Sequence, residues 1–178
     1  MMARACNMPA TVHDGVVDAA RWCERWLRLY AMASPHKPAA VFDIDATLID
    51  ASGRAIAETC ELVHLCRALR IAVFYVTARS ERGREYTEDQ LRRLKIDCHK
   101  RLYMHPAHSR CDTNGAGRQK LRAREQIEKH GYSIGLNAGD AWHDHLHPVS
   151  HELARLVGGR SAFVFVAADG AAHLKMPE

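Results

Sequence analysis

The chain has no apolar run long enough to span a bilayer, which takes about 20 consecutive apolar residues as a helix. Its first residues, Met1-Met2-Ala3-Arg4-Ala5-Cys6-Asn7-Met8-Pro9, contain no apolar core of the kind a secretory leader carries. A cytoplasmic protein without a membrane segment is the expectation. Its six cysteines (Cys6, Cys23, Cys60, Cys66, Cys98 and Cys111) form no CxxC pair and no framework spacing. They read as reduced intracellular thiols, several of them buried. No GxxxxGK[ST] loop is present, so a P-loop kinase half is excluded. Internal repeats, low-complexity tracts and linkers are also missing, and residues 1–178 are expected to form one domain. Nor is there a large excess of one charge: 25 Lys and Arg stand against 21 Asp and Glu, a formal net charge of +4. That balance is compatible with a polyanionic partner and requires none.

What is present is an alternation of two periods. Residues 1–12 read as a loose arm. Over 14–32, Val16, Val17, Ala20, Cys23, Trp26, Leu27 and Tyr30 recur at helical spacing, with Thr11 or Asp14 as possible caps. Short apolar runs then predict strands at 39–42, 71–76, 101–104 (the weakest), 133–138 and 162–166. Helices are expected at 56–70, 81–94, 120–130 and, more briefly, 152–157, with Gly131 closing the third. The stretch 105–117 reads as a loop, and the tail 171–178 has no clear period. Strand–helix alternation with short connections predicts an α/β fold: a doubly wound, three-layer domain around a parallel five-stranded sheet.

The polar residues at the ends of these strands carry the functional reading. The first strand runs into Asp43 and Asp45, the second into Thr77 and Arg79, and the fourth into Asp140 and Asp144. Aspartate is disfavoured in strands, and a buried pair of carboxylates implies a cation, a shared proton or a turn into solvent. In a parallel sheet all the carboxyl ends lie along one edge, so these residues converge. Lys120, placed by this reading at the opening of the helix before the fourth strand, can reach the same edge. Carboxylates facing a hydroxyl, an ammonium and a guanidinium make an acidic metal site opposite an anion site. Oxygen ligands suit Mg2+, which relies on a few carboxylates and substrate phosphate. The chemistry implied is phosphoryl transfer with a carboxylate nucleophile.

At this point the chain resembles the haloacid dehalogenase (HAD) superfamily of phosphohydrolases. Its four motifs occur in order as Asp43-x-Asp45-x-Thr47, Thr77, Lys120 and Gly139-Asp140-x-x-x-Asp144. The segments FDIDATL, VTARSERGREYT, KLRAR followed by HGY, and GDAWHD are similar to the acid-phosphatase branch, which includes plant vegetative storage proteins and bacterial acid phosphatases. The resemblance implies that Asp43 attacks phosphorus and becomes an aspartyl-phosphate. Asp45 would protonate the leaving oxygen and then take a proton from water. Mg2+ would be held by Asp43, the Asp45 carbonyl and Asp140, with Asp144 acting through water or a neighbouring ligand. Thr77, the Ala78 N–H and Lys120 would bind the phosphoryl group, and Arg79 could touch substrate phosphate. Two positions depart from the pattern: Ala46 stands where Gly or Glu is common, and Ala78 where Gly or Asn is common. Neither intermotif gap has room for an inserted cap domain, so the site is expected to be open and the substrate to be a small molecule or an exposed macromolecular phosphate.

The function implied is Mg2+-dependent phosphomonoester hydrolysis. One alternative is a nucleic-acid 3′-end phosphatase of the polynucleotide kinase-phosphatase type, and another is a catalytically silent binding or storage protein. Bland readings suffice for the remaining features. His143, His145 and His147 alternate without a matching second ligand set, so a His-rich surface loop is favoured over zinc. Arg82, Arg84, Arg92, Arg93, Arg118, Arg122 and Arg124 read mostly as solvated helix faces, with a minority free to line a polyanion groove. Lys100 and Lys129 are poorly placed to replace Lys120.

Overall fold

A computed structural model of the chain describes residues 11–12, 16–33, 37–107, 113–141, 144, 163–166 and 171–176. Its centre is β2 (Lys37–Phe42), where successive side chains enter two different cores. Ala40 and Phe42 face one side with Val73, Tyr75 and Leu136, while Ala39 and Val41 face the other with Phe74 and Val76. That is the period of two of a strand buried on both faces, and it explains why the run is apolar without alternation. β2 pairs in parallel with β3 (Ala72–Ser80) on one side and β5 (Tyr132–Gly139) on the other. β4 (Arg101–His105) extends the sheet beyond β3.

The first core is covered by α1 (Val16–Ala33), α2 (Ala57–Ala68) and Leu91 of α3 (Arg84–Arg93), and the second by Ala123 and Ile127 of α4 (Thr113–Lys129). Ala19, Cys23 and Leu27, four residues apart, form the buried stripe of α1. A second stripe, Trp22, Trp26 and Tyr30, stacks ring on ring at centroid spacings of 5.7 and 6.4 Å. Trp26 Nε1 donates to the Gly135 carbonyl at 2.8 Å and Tyr30 Oη to the Ser133 carbonyl at 2.8 Å. These bonds tie α1 to β5. Gly135 is required there, because a Cβ would land inside the Tyr30 ring.

The expected five parallel strands exist, but the fifth is not the expected one. Phe163–Val166 (β6) runs antiparallel, and the parallel partner of β5 is β7 (Ala172–Lys175) in the tail. A parallel crossover needs a dozen or more residues, and the stretch 167–171 is too short for one, so β6 and β7 pair as a hairpin. β7 escaped the periodicity because it is buried throughout while carrying His173 and Lys175. Thr11–Val12 (β1), expected in a loose arm, pairs antiparallel with β6. The full order is β1-β6-β7-β5-β2-β3-β4.

α4 starts at Thr113, so it absorbs the end of the expected 105–117 loop and places Lys120 in its second turn rather than its first. Between Asp45 and Thr77 lie a turn and α2; between Thr77 and Lys120 lie a 3-10 turn (Glu81–Gly83), α3 and β4. Among the described residues neither gap holds a cap domain, and no helix is long and apolar enough to cross a membrane. The expected helix at 152–157, the alternating His143, His145 and His147, and the candidate cap Asp14 lie outside the described residues.

Candidate active site

The edge where β2, β3 and β5 end is built first by a turn. Asp43 still belongs to the sheet, its N–H donating to the Ala138 carbonyl of β5 at 2.9 Å. The chain then folds back, with the Ile44 carbonyl accepting from Leu48 N (2.9 Å) and Ile49 N (3.0 Å), while Ala46 N donates to Ile49 O at 2.8 Å. Closing the turn puts Ala46 at a φ of 53°, the left-handed region that a Cβ disfavours. Thr59 of α2 fastens the turn by donating its hydroxyl to the Thr47 carbonyl.

This turn separates two carboxylates that an extended chain would point the same way. Asp43 goes inward and is 6% exposed, whereas the Asp45 side chain is 59% exposed and turns toward β3. There Arg79 grips it as a fork, with Nη2 2.6 Å from Oδ1 and Nε 2.9 Å from Oδ2. Arg79 is held from behind by Gln90 Oε1 of α3, at 2.8 Å from Nη1. Thr77 is fully buried at the end of β3, its hydroxyl accepting from Arg79 N at 3.2 Å. Ala78 lies between them on the same strand.

Asp43 meets Asp140 and Asp144, which follow β5. One carboxylate oxygen from each of the three lies within 4.8 Å of the others. Lys120 enters from α4, 2% exposed, with Nζ 3.0 Å from Asp43 Oδ1 and in contact with Asp144 Oδ1. Asp144 Oδ2 accepts from the Ala141 N–H at 3.1 Å. Gly139 makes room for this fold-back, since a Cβ there would lie 2.6 Å from Asp144 Cγ. The sequence motifs therefore bring Asp43, Lys120, Asp140 and Asp144 into one cluster. They leave Asp45 and Arg79 as a separate ion pair beside it.

The electrostatics of the cluster are unbalanced. Burial, and then the Asp144 charge, push the Asp43 carboxyl up to about 8 against the opposing pull of Lys120. Asp140 is likewise raised, by burial and then by Asp144. Burial works against the Lys120 ammonium, yet Asp43 and Asp144 hold its pKa above the ordinary lysine value. Asp43 Oδ1 is buried and faces the Lys120 ammonium at ion-pair distance, an ammonium that it shares with Asp144. Three clustered carboxylates that share one buried ammonium fit a hard divalent cation bound through oxygen. Asp43, Asp140 and Asp144 are the side chains that could hold it.

Two residues escaped the sequence reading. Arg124, which the sequence groups with mostly solvated helix faces, is half-buried, and desolvation pulls its pKa down while Asp144 and Asp43 oppose that. Its spacing of four from Lys120 was the available signal, masked by Glu128 four residues further on, which makes an ordinary surface pair plausible. Lys175, at the end of β7, is 2% exposed, donates to the Met176 carbonyl at 2.7 Å and helps to hold Asp140 down. The tail has no period that would place it on a buried strand.

Comparison with known proteins gives one family. Residues 50–165, about two thirds of the chain, match the family model described as HAD superfamily, subfamily IIIB (acid phosphatase). The match contains Thr77, Lys120, Asp140 and Asp144 but begins after Asp43 and Asp45. It is the fold that carries Asp43 to the residues inside the match. No curated protein matches the chain.

Proposed function

The chain belongs to subfamily IIIB of the HAD superfamily, the acid phosphatases, and from that premise we propose that it hydrolyses phosphomonoesters with Mg2+ through an aspartyl-phosphate on Asp43. The observation that carries the proposal is the buried Asp43 carboxylate set between Lys120 and two further carboxylates at the carboxyl edge of a parallel sheet. Bound by Asp43, Asp140 and Asp144, the cation would neutralise charge on a phosphoryl oxygen and keep Asp43 ionised.

The side chains divide the rest. A carboxylate oxygen of Asp43 forms a bond to phosphorus as the bond to the leaving oxygen breaks. Lys120, already paired with Asp43, is placed to balance the negative charge on the phosphoryl group. Thr77, buried on β3, binds a phosphoryl oxygen through its hydroxyl. Asp45, protonated from solvent once it has left Arg79, gives that proton to the leaving oxygen, then takes one from the water that attacks phosphorus, and Asp43 is released as a carboxylate. For both proton transfers Asp45 has to turn away from Arg79, which leaves the guanidinium available to the substrate. Among the described residues, turns, α2, α3, β4 and the start of α4 lie between the motifs, and the open site this implies favours an exposed phosphate.

The test is hydrolysis of an aryl phosphate in Mg2+ and in EDTA, beside Asp43→Asn, with acid quenching and mass spectrometry of the peptide containing Asp43. Turnover that needs Mg2+ and Asp43, with phosphate trapped on that peptide, is expected. Full activity in Asp43→Asn would reject the mechanism.

A further inference from the structure

We infer that Arg124 is the positioning residue of the cation site: it fixes the Asp144 segment and so sets Mg2+ affinity rather than the rate of phosphoryl transfer. The inference rests on the reading of Asp43, Asp140 and Asp144 as cation ligands. Asp144 is held at three points. Its carboxylate is gripped by Lys120 at Oδ1 and by the Ala141 N–H at Oδ2, and its backbone carbonyl accepts from Arg124 Nη2. Arg124 is in turn anchored on the sheet, its Nε donating to Asn137 Oδ1 of β5 at 2.9 Å. Lys120 and Arg124 stand one turn apart on α4. The helix therefore holds the acidic segment by its side chain and by its main chain together, and β5 fixes the helix cation from below.

Stability alone does not account for a guanidinium in this place. It is half-buried, and its Nη1 is itself buried with no hydrogen-bond partner among the described residues. A hydrophobic side chain of similar volume generally serves a core as well as or better than an imperfectly paired buried charge. What such a side chain lacks is the planar fork that spans Asn137 and the Asp144 carbonyl at once. Groups that orient metal ligands in this way are worth roughly 10- to 100-fold in affinity.

The experiment is Mg2+ titration of the full chain without substrate, by calorimetry and by thermal shift, for wild type, Arg124→Met, Arg124→Lys and Asn137→Ala. The same variants are assayed for the Mg2+ dependence of turnover. Arg124→Met is expected to weaken Mg2+ binding roughly 10-fold or more, while kcat at saturating Mg2+ stays within about 3-fold of wild type. Arg124→Lys keeps the charge but not the fork and should recover little of the lost affinity. Asn137→Ala, which leaves the arginine in place without its anchor, should weaken binding several-fold, about half the Arg124 effect on a logarithmic scale, and it serves if Arg124→Met does not fold. Unchanged affinity in Arg124→Met, full recovery in Arg124→Lys, or a fall in kcat at unchanged affinity would each overturn the inference. Wild type that binds no Mg2+ would instead reject the cation site, and this inference with it.

Discussion

Asp43→Asn is expected to make the metal-free protein more stable although it removes the proposed nucleophile. The carboxyl is 6% exposed and its pKa is pushed from an ordinary 3.8 to about 8 by burial and by Asp144. Because the folded state holds this proton more tightly than the unfolded chain, the Asp43 contribution to wild-type stability is largest below pH 4. It declines as pH rises through the window between 3.8 and about 8, and levels off above it. At pH 7 the difference from an unperturbed carboxyl is at most about 4 kcal/mol, and water entry and relaxation bring the expected value to roughly 2–3 kcal/mol. Asparagine has no charge to bury, and Lys120 keeps Asp144 as its partner. Urea unfolding in EDTA at pH 4.5 and pH 8 measures this directly. The variant should be close to wild type in acid and ahead of it at pH 8. Added Mg2+ should then stabilise wild type and leave Asp43→Asn unmoved. A variant less stable than wild type at both pH values, or one with no pH-dependent difference, would refute the account of Asp43 as an undercompensated buried charge.

Lys120→Met should have the opposite sign. It leaves Asp43 and Asp144 without their shared ammonium and should cost about 3 kcal/mol at pH 8 in EDTA, shrinking in acid as the carboxyls protonate; equal unfolding midpoints at pH 8 would contradict it. Ala46→Gly relieves a φ of 53° and should raise metal-free stability by about 0.5–1 kcal/mol, read as a higher urea midpoint at unchanged slope.

The legible parts of this molecule were those where composition and environment agree. β2, β3 and β5 are buried on both faces and read as apolar runs, and the polar residues that follow them mark one sheet edge. Asp43, Asp140, Asp144 and Lys120 were all visible for that reason, and the structure draws them together. The parallel strand β7 was invisible because a buried strand holding His173 and Lys175 looks like a polar tail. Arg124 was hidden by a similar conflict, a charge with a surface composition in a half-buried place. The divergence of Asp43 and Asp45 depended on a turn with a left-handed alanine. Alanine has no compositional signature there, whereas glycine would have announced it.

The stacked Trp22, Trp26 and Tyr30 make the protein its own optical probe. The chain has three tryptophans, and two of them lie face to face on α1, with Trp26 bonded to β5, the strand that delivers Asp140. Release of α1 from the sheet would break the Trp26 bond to Gly135 and part the indoles. It would change their emission and their near-ultraviolet dichroism while the helix keeps its far-ultraviolet signal. Undocking of the helix can thus be followed without a label and told apart from unfolding of the whole chain.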